Sequence, residues 1–366
     1  MLFSKICLVS DGYNVFEKMK RHIVLIIGIV ALGLGLTATR YLRSTDLPPA
    51  SQLDKNTPVS EVLRALGEPD PKHRPADMTP ELAQKGKEIF FTGTTVGADG
   101  KNIRLQSRHF TCNNCHNSAK EDPDLRVSDP EARLDYVLKN RMAFLPATTM
   151  YGTVNKSSWY NDDYLKKYGD LVKPAYNSLE YAIHLCATVC SQGRELTPWE
   201  MKAMLSYYWS IEYKLGDLNL SADDWKKLRE AEGKGANPAV AKWLHTYYRS
   251  GSPATFVEAP SDKGKGYAID RKPDAKRGRL IYDNSCLMCH DEQGPSNYLK
   301  LDNGKVSLSM FREHLKSKGH LSLYEIVRHG TYADTGHRAY MPNYTAERMS
   351  DAQVEDLRAY FFAGDI

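Results

Sequence analysis

The sequence predicts a mainly α-helical protein, with two related helical domains in tandem behind an N-terminal signal or membrane helix. Three observations carry this. A five-residue pattern occurs twice, as Cys112-Asn113-Asn114-Cys115-His116 and as Cys286-Leu287-Met288-Cys289-His290. A helix-starting signature also occurs twice, at Thr197 and Ser350, 153 residues apart. Finally, Ile23 to Ala38 is a run of sixteen mostly apolar residues behind Lys18, Lys20 and Arg21.

The repeated pattern is C-x-x-C-H, the attachment site of a c-type haem. Two thiols at this spacing reach the two vinyl groups along one porphyrin edge, and the adjacent imidazole falls under the iron. A zinc or dithiol site beside an unrelated histidine would not explain the recurrence. Cys112, Cys115, Cys286 and Cys289 are expected to hold two covalently bound haem c groups, with His116 and His290 as proximal iron ligands.

The chain of 366 residues is long enough for two domains of ordinary size, each with a core. Charged residues make up 26%, hydrophobic residues 42%, and the formal charge is only +4. Lysine and arginine are scattered, which reads as a solvated surface and gives no nucleic-acid partner. Of seven cysteines, the two patterns leave Cys7, Cys186 and Cys190.

Bacterial haem attachment takes place outside the cytoplasm, so the chain is expected to be exported. The positive flank before Ile23 keeps the N-terminus inside. A spanning helix needs ~20 apolar residues. Extending the run to Leu42, with Arg40 snorkelling, approaches that length. Thr37-Ala38-Thr39 is a poor cleavage site. Residues 1–42 are expected to be an uncleaved anchor, placing the protein on the periplasmic side of the inner membrane; cleavage would release it into the periplasm. Met19 is an alternative start, which would leave Cys7 without a role.

Residues 43–79 are rich in Pro, Ser, Asp and Lys and read as a tether, with a short helix at Val59 to Leu66. A first domain is expected over 80–217, a linker over 218–269 with a helix at Pro238 to Tyr248, and a second domain over 270–366. Each domain opens on a helix with a small residue four positions before an aromatic one, Gly86 with Phe90 and Gly278 with Tyr282. Such a pair lets another helix approach closely. Cys286 follows Gly278 by eight residues and Cys112 follows Gly86 by twenty-six, so the first domain carries an eighteen-residue insertion around Thr92 to Phe110. Gly97, Asp99 and Gly100 predict a turn or hairpin there. Each domain closes on an aromatic helix. Thr197-Pro198-Trp199-Glu200 is a capping box with proline at the first helical position, and Ser350-Asp351-Ala352-Gln353 repeats it. Tyr207 and Tyr360 keep the 153-residue offset. Helix, attachment pattern, excursion and closing helix together resemble class I cytochrome c. The resemblance implies terminal helices that cross beside each haem.

In that family the distal ligand is a methionine in the loop before the closing helix. Met341, in Tyr340-Met341-Pro342-Asn343, lies nine residues before Ser350. A soft thioether suits low-spin iron and raises its potential. Met310 and His337 are weaker alternatives. The corresponding place in the first domain is Thr188, with Cys186 and Cys190 two residues to either side. Three readings remain open. One cysteine ligates iron as thiolate; or the two form a short disulfide, which a helical backbone would have to bend to allow; or Met142, Met150 or His184 ligates. A thiolate would lower the potential, so electrons would run from the first haem to the second. The stretch from Leu145 to Leu196 resembles the first haem domain of bacterial diheme thiosulfate dehydrogenases and related sulfur-oxidising cytochromes. The resemblance rests on Cys186-Ala187-Thr188-Val189-Cys190-Ser191-Gln192-Gly193, where that family has C-x-x-x-S-x-N-G. It implies Cys186 as the ligand, while Cys190 and Gln192 stand in place of serine and asparagine.

The expected function is an exported diheme cytochrome carrying electrons in a respiratory chain, from a His/Cys haem to a His/Met haem, with redox partner proteins. The alternative is an oxidoreductase of the thiosulfate dehydrogenase type, forming tetrathionate, or one acting on a related sulfur anion. Such a substrate needs cations, for which Lys139, Arg141 and Arg194 are candidates, with Ser191 and Gln192 as neutral donors. A third reading is a subunit of a larger respiratory complex docked through the N-terminal helix. No Gly-rich phosphate loop or hydrolase elbow is present.

Overall fold

The computed structural model describes residues 53–291, 294, 312–313, 315–316, 319–331 and 340–362. The expected N-terminal anchor, Cys7, Met310 and His337 lie outside the described residues. Among the described residues no helix is long and apolar enough to cross a membrane. They form no strand, only two isolated bridges, Pro58 with Lys214 and Val96 with Asn102.

The architecture rests on two helix crossings. In the first half, α2 (Pro80–Thr92) meets α6 (Pro198–Ser210). In the second half, α9 (Ala275–Ile281) meets α12 (Asp351–Phe362). Local chemistry fixes the ends of these helices. Thr79 Oγ1 accepts the Leu82 amide at 3.1 Å and Gly93 closes α2 at φ +72°. Thr197 and Glu200 form a reciprocal capping box on α6. Ser350 and Gln353 do the same on α12, at 2.9 and 3.0 Å.

The crossings need the glycines. A Cβ on Gly86 would lie 1.9 Å from the Ala203 carbonyl oxygen, and one on Gly278 would lie 2.0 Å from that of Asp356. Ala203 and Asp356 are themselves 153 residues apart. The repeat read from sequence is therefore a repeat of contacts.

The remaining described helices fill the excursions and the linker. They are α1 (Val59–Ala65), α3 (Pro130–Lys139), α4 (Asp162–Tyr168), α5 (Leu179–Leu185), α7 (Ala222–Ala231), α8 (Pro238–Leu244), α10 (Leu287–His290) and α11 (Leu323–His329). The apolar face of α1 (Val59, Val62, Leu63) packs with Leu228 of α7 and Leu244 of α8 in one cluster. From Leu53 onward, the stretch whose composition reads as a tether is thus folded against the linker. The hairpin expected in the insertion is present. Gly97 N donates to Lys101 O at 2.7 Å, and Gly100 takes φ +76° at the turn.

The two halves do not keep separate cores. Leu134 and Val137 of α3, with Phe144 after it, are buried among Ile281, Tyr282, Leu323, Val354 and Leu357 of the second half. Phe144 N donates to Asn284 O at 2.8 Å, and Ser285 Oγ donates back to Phe144 O at 2.9 Å. At the centre lies Glu121, fully buried, facing Arg133 (1% exposed) from its own half and Arg348 (6% exposed) from the other. Its Oε1 accepts Arg348 at 2.6 Å and the Thr149 amide at 2.9 Å; its Oε2 accepts Asn117 at 3.0 Å and lies 3.7 Å from Arg133. Arg348 and Arg133 also both donate to Leu145 O, at 2.9 and 3.3 Å. The scatter of cations in the sequence does not make them all surface groups: these two, and Arg328, are buried because each finds fixed acceptors.

Burial alone would raise the Glu121 carboxyl, but Arg348 and Arg133 hold it down at about 2. A folded value below the ordinary 4.5 gives stability that is fully present above pH 4.5 and is lost as pH falls towards 2. Glu121→Gln leaves two arginines facing each other without their counter-charge. Urea unfolding at neutral pH is expected to show a loss of about 3–5 kcal/mol. The variant is also expected to lose the part of the acid-induced decline that Glu121 causes.

Candidate functional site: two attachment motifs and a sulfur pair

The first motif lies on a 3-10 turn, Cys112–Asn114, entered at Thr111. Asn114 Oδ1 accepts the Thr111 amide at 2.7 Å, and the Cys115 and His116 amides both donate to Cys112 O, at 3.2 and 3.0 Å. This curls the chain so that Cys112, Cys115 and His116 are presented together. Cys112 packs on the core cluster of Phe90, Met204 and Tyr208. His116 Nδ1 is 2.6 Å from Thr148 O, which fixes the proton on Nδ1 and leaves Nε2 as the bare donor. Burial lowers the His116 ring to about 4, so it is neutral, as a metal ligand must be.

The second motif follows a π-type turn at Tyr282–Cys286 and runs into α10. Cys286 packs against the same core cluster as Met341. The backbone around Met341 is held tightly. Its amide donates to Thr331 Oγ1 at 2.8 Å and its carbonyl accepts Thr331 N at 2.9 Å. Gly330 takes φ +70°, and a Cβ there would lie 2.3 Å from Met341 O. Nearby, Tyr344 and Ser285 share a hydroxyl hydrogen bond of 2.5 Å one residue before Cys286.

Cys186 and Cys190 bracket a π-helical turn that continues α5, with Ser191 N donating to Cys186 O at 2.8 Å. The wider π turn brings positions i and i+4 together on one side. The two cysteines are free thiols, Cys186 half-buried and Cys190 exposed. The neighbouring Cys190, then burial, raises the Cys186 thiol. Cys186, foremost, holds the Cys190 thiol below the ordinary 9. The insertion after α2 anchors this turn. Gln106 Nε2 donates to Ala187 O at 2.9 Å and lies 3.1 Å from Ser191 Oγ, and Gln106 O accepts Arg194 N at 3.0 Å.

The other sequence candidates go elsewhere. His184 lines a separate cleft of about 600 Å³ with His73, Arg74 and Met201. Met142 packs against the second-half core. Met150 packs against the core cluster that also takes Cys112, and stays open as a sulfur for the first site. Arg194 is held by Glu200 through two 2.7 Å hydrogen bonds, and Lys139 and Arg141 lie exposed at and beyond the end of α3. The stretch from Phe144 to Ala147 runs between the two motifs: Phe144 is bonded to Asn284 and Ser285, while Ala147 N donates to Cys115 O at 3.1 Å. Cys115, raised mainly by burial, also feels Cys289 and Cys190.

Sequence reading missed Thr148, Gln106 and Tyr340. Pro146 and the insertion mark the first two regions without naming the atoms. Tyr340 is marked only as the neighbour of Met341.

Two free thiols and a neutral histidine whose Nδ1 is committed to Thr148 O fit a covalently bound haem at the first motif, and the second presents the same residue types. Residues 273–361 match the family model described as cytochrome C oxidase, cbb3-type, subunit III. The matched region contains Cys286 to His290 and Met341. The similarity supports an electron-carrying c-type cytochrome with covalently bound haem c, acting with redox partner proteins. No curated protein and no solved structure matches the chain.

Replacing Gly330 by alanine forces a side chain at positive φ against the Met341 carbonyl. Denaturant unfolding is expected to show a loss of roughly 1–3 kcal/mol, with the Met341 loop displaced in the variant's crystal structure.

Proposed function

We propose that the protein is a diheme c-type cytochrome whose two haems differ in their distal sulfur. What supports this is that Met341 and Cys286 pack against one core cluster, while Cys186 and Cys190 stand as free thiols on the turn where the first half has no methionine. Bound haem supplies one-electron exchange between Fe(III) and Fe(II). The chain's part is to hold His116 and His290 neutral, to give Met341 to the second site and to give Cys186 to the first. With iron bound, Cys186 would serve as the thiolate. A thiolate would favour Fe(III) and a thioether Fe(II), which would direct electrons from the first site to the second.

The nearness of Cys115 to Cys289 and the short bridge from Phe144 to Thr148 support direct transfer between them. The cbb3-type match over 273–361 supports a place in a respiratory chain, on the periplasmic side where such haems are attached. The domains divide at about 217 and 270, with the N-terminal segment as membrane anchor. For the sulfur-anion oxidoreductase, the proposed cations are poorly placed: Arg194 is already paired with Glu200.

Intact mass of the purified holoprotein is expected to show two haems, and one after Cys286→Ala/Cys289→Ala. Electron paramagnetic resonance of the oxidised protein is expected to show a thiolate-type low-spin signal that Cys186→Ala removes. A spectrum unchanged by that substitution overturns the first ligand assignment.

A further inference from the structure

We infer that Arg328 is a positioning residue for the second haem: it pins the loop that carries Met341 and so sets how readily the thioether leaves the iron. The inference rests on the proposed Met341 ligation. Arg328 lies near the end of α11 and is 1% exposed. Its guanidinium reaches three segments at once. Nη1 donates to Tyr344 O at 3.2 Å and to Met349 O at 2.8 Å, both between Met341 and α12. Nη2 donates at 2.6 Å to Oδ1 of Asp351, the first residue of α12. Nε donates to the Tyr267 hydroxyl at 3.2 Å, in the segment before α9. The backbone beside it is paired as well. Tyr344 N donates to Val327 O at 2.8 Å, Met341 N to Thr331 Oγ1 at 2.8 Å and Thr331 N to Met341 O at 2.9 Å.

A buried guanidinium is tolerated only while its donors stay paired. Moving the Met341 loop away from α11 strips Nη1 of both carbonyls, and hydrogen bonds from a charged group are the strong ones. Loop opening is therefore opposed by Arg328 as well as by Thr331. A neutral nitrogen ligand arriving from solution has to displace Met341. One Fe(III)–S bond breaks and one Fe(III)–N bond forms, with no proton or electron transferred. The apparent affinity of that ligand scales with the fraction of molecules whose loop is open. The first half differs at this place. There α5 begins on Ser178-Leu179 as α11 begins on Ser322-Leu323, and the residue six beyond the serine is His184 instead of Arg328.

Imidazole titration of the oxidised holoprotein, read from the thioether-to-iron absorption of the His/Met haem, tests this. Arg328→Met keeps an unbranched stem and removes every donor. The second haem of this variant is expected to bind imidazole about tenfold more tightly. Tyr267→Phe removes one acceptor and keeps the ring. It is expected to act in the same direction by a smaller factor, and it carries the test if Arg328→Met does not fold. In the Arg328→Met background Tyr267→Phe should add nothing, because it acts through the guanidinium. Unchanged imidazole affinity in Arg328→Met and Tyr267→Phe, while Met341→Ala abolishes the thioether absorption, overturns the inference and leaves the ligand assignment standing. Fully additive effects of the two substitutions also overturn it. Retention of the thioether absorption in Met341→Ala overturns the ligand assignment, and the inference with it.

Discussion

The buried carboxylate of Glu121 is the interaction on which the two halves depend. It lies five residues after His116, and Arg348 reaches it from the segment that follows Met341. A buried ion cluster of this kind contributes little net stability compared with an apolar replacement, but its geometry is demanding, and removing one partner is costly. Here that demand sets register. Glu121 meets Arg348 only when the excursion of the first half lies across the second, with Phe144 against Ser285 and Thr148 against His116. The chain joining the two motifs is then a few residues of well-bonded backbone. Haems bound at both motifs, as proposed, would keep a fixed relation, which would suit transfer between them better than two domains on a loose linker.

Much of this was legible in the sequence because it is local. The C-x-x-C-H patterns, the caps at Thr197 and Ser350 and the turn at Gly97 to Gly100 need only near neighbours. The 153-residue offset survives in space because Gly86 and Gly278 each admit a helix backbone that any side chain would exclude. What was not legible is long-range. Leu134 and Val137 show helical spacing, but nothing in that spacing says that their core belongs to the other half. Arg133 and Arg348 read as surface cations because burial of a guanidinium depends on acceptors that, for both, include one more than 200 residues away. Tyr340 reads as packing beside a ligand; only the fold sets its ring against Phe110 of the other half.

The first site is built by departure from the repeat. Where the second half offers Met341, the first offers two thiols on a π turn, anchored by an insertion that the second half lacks. Gln106 and Arg194 bind that turn to the insertion, so the extra residues hold the Cys186–Cys190 turn in place. Tyr160 and Tyr164, packed 4.7 Å apart, also lie near the pair, since the cysteines add to the rise that burial gives their phenols. Asymmetry between the halves therefore comes from one turn and one insertion.

The claim that the two haem sites form a single interlocked unit is tested most directly by differential scanning calorimetry of the holoprotein. The account predicts one transition with equal calorimetric and van't Hoff enthalpies. Two resolved transitions, one for each half, would contradict it.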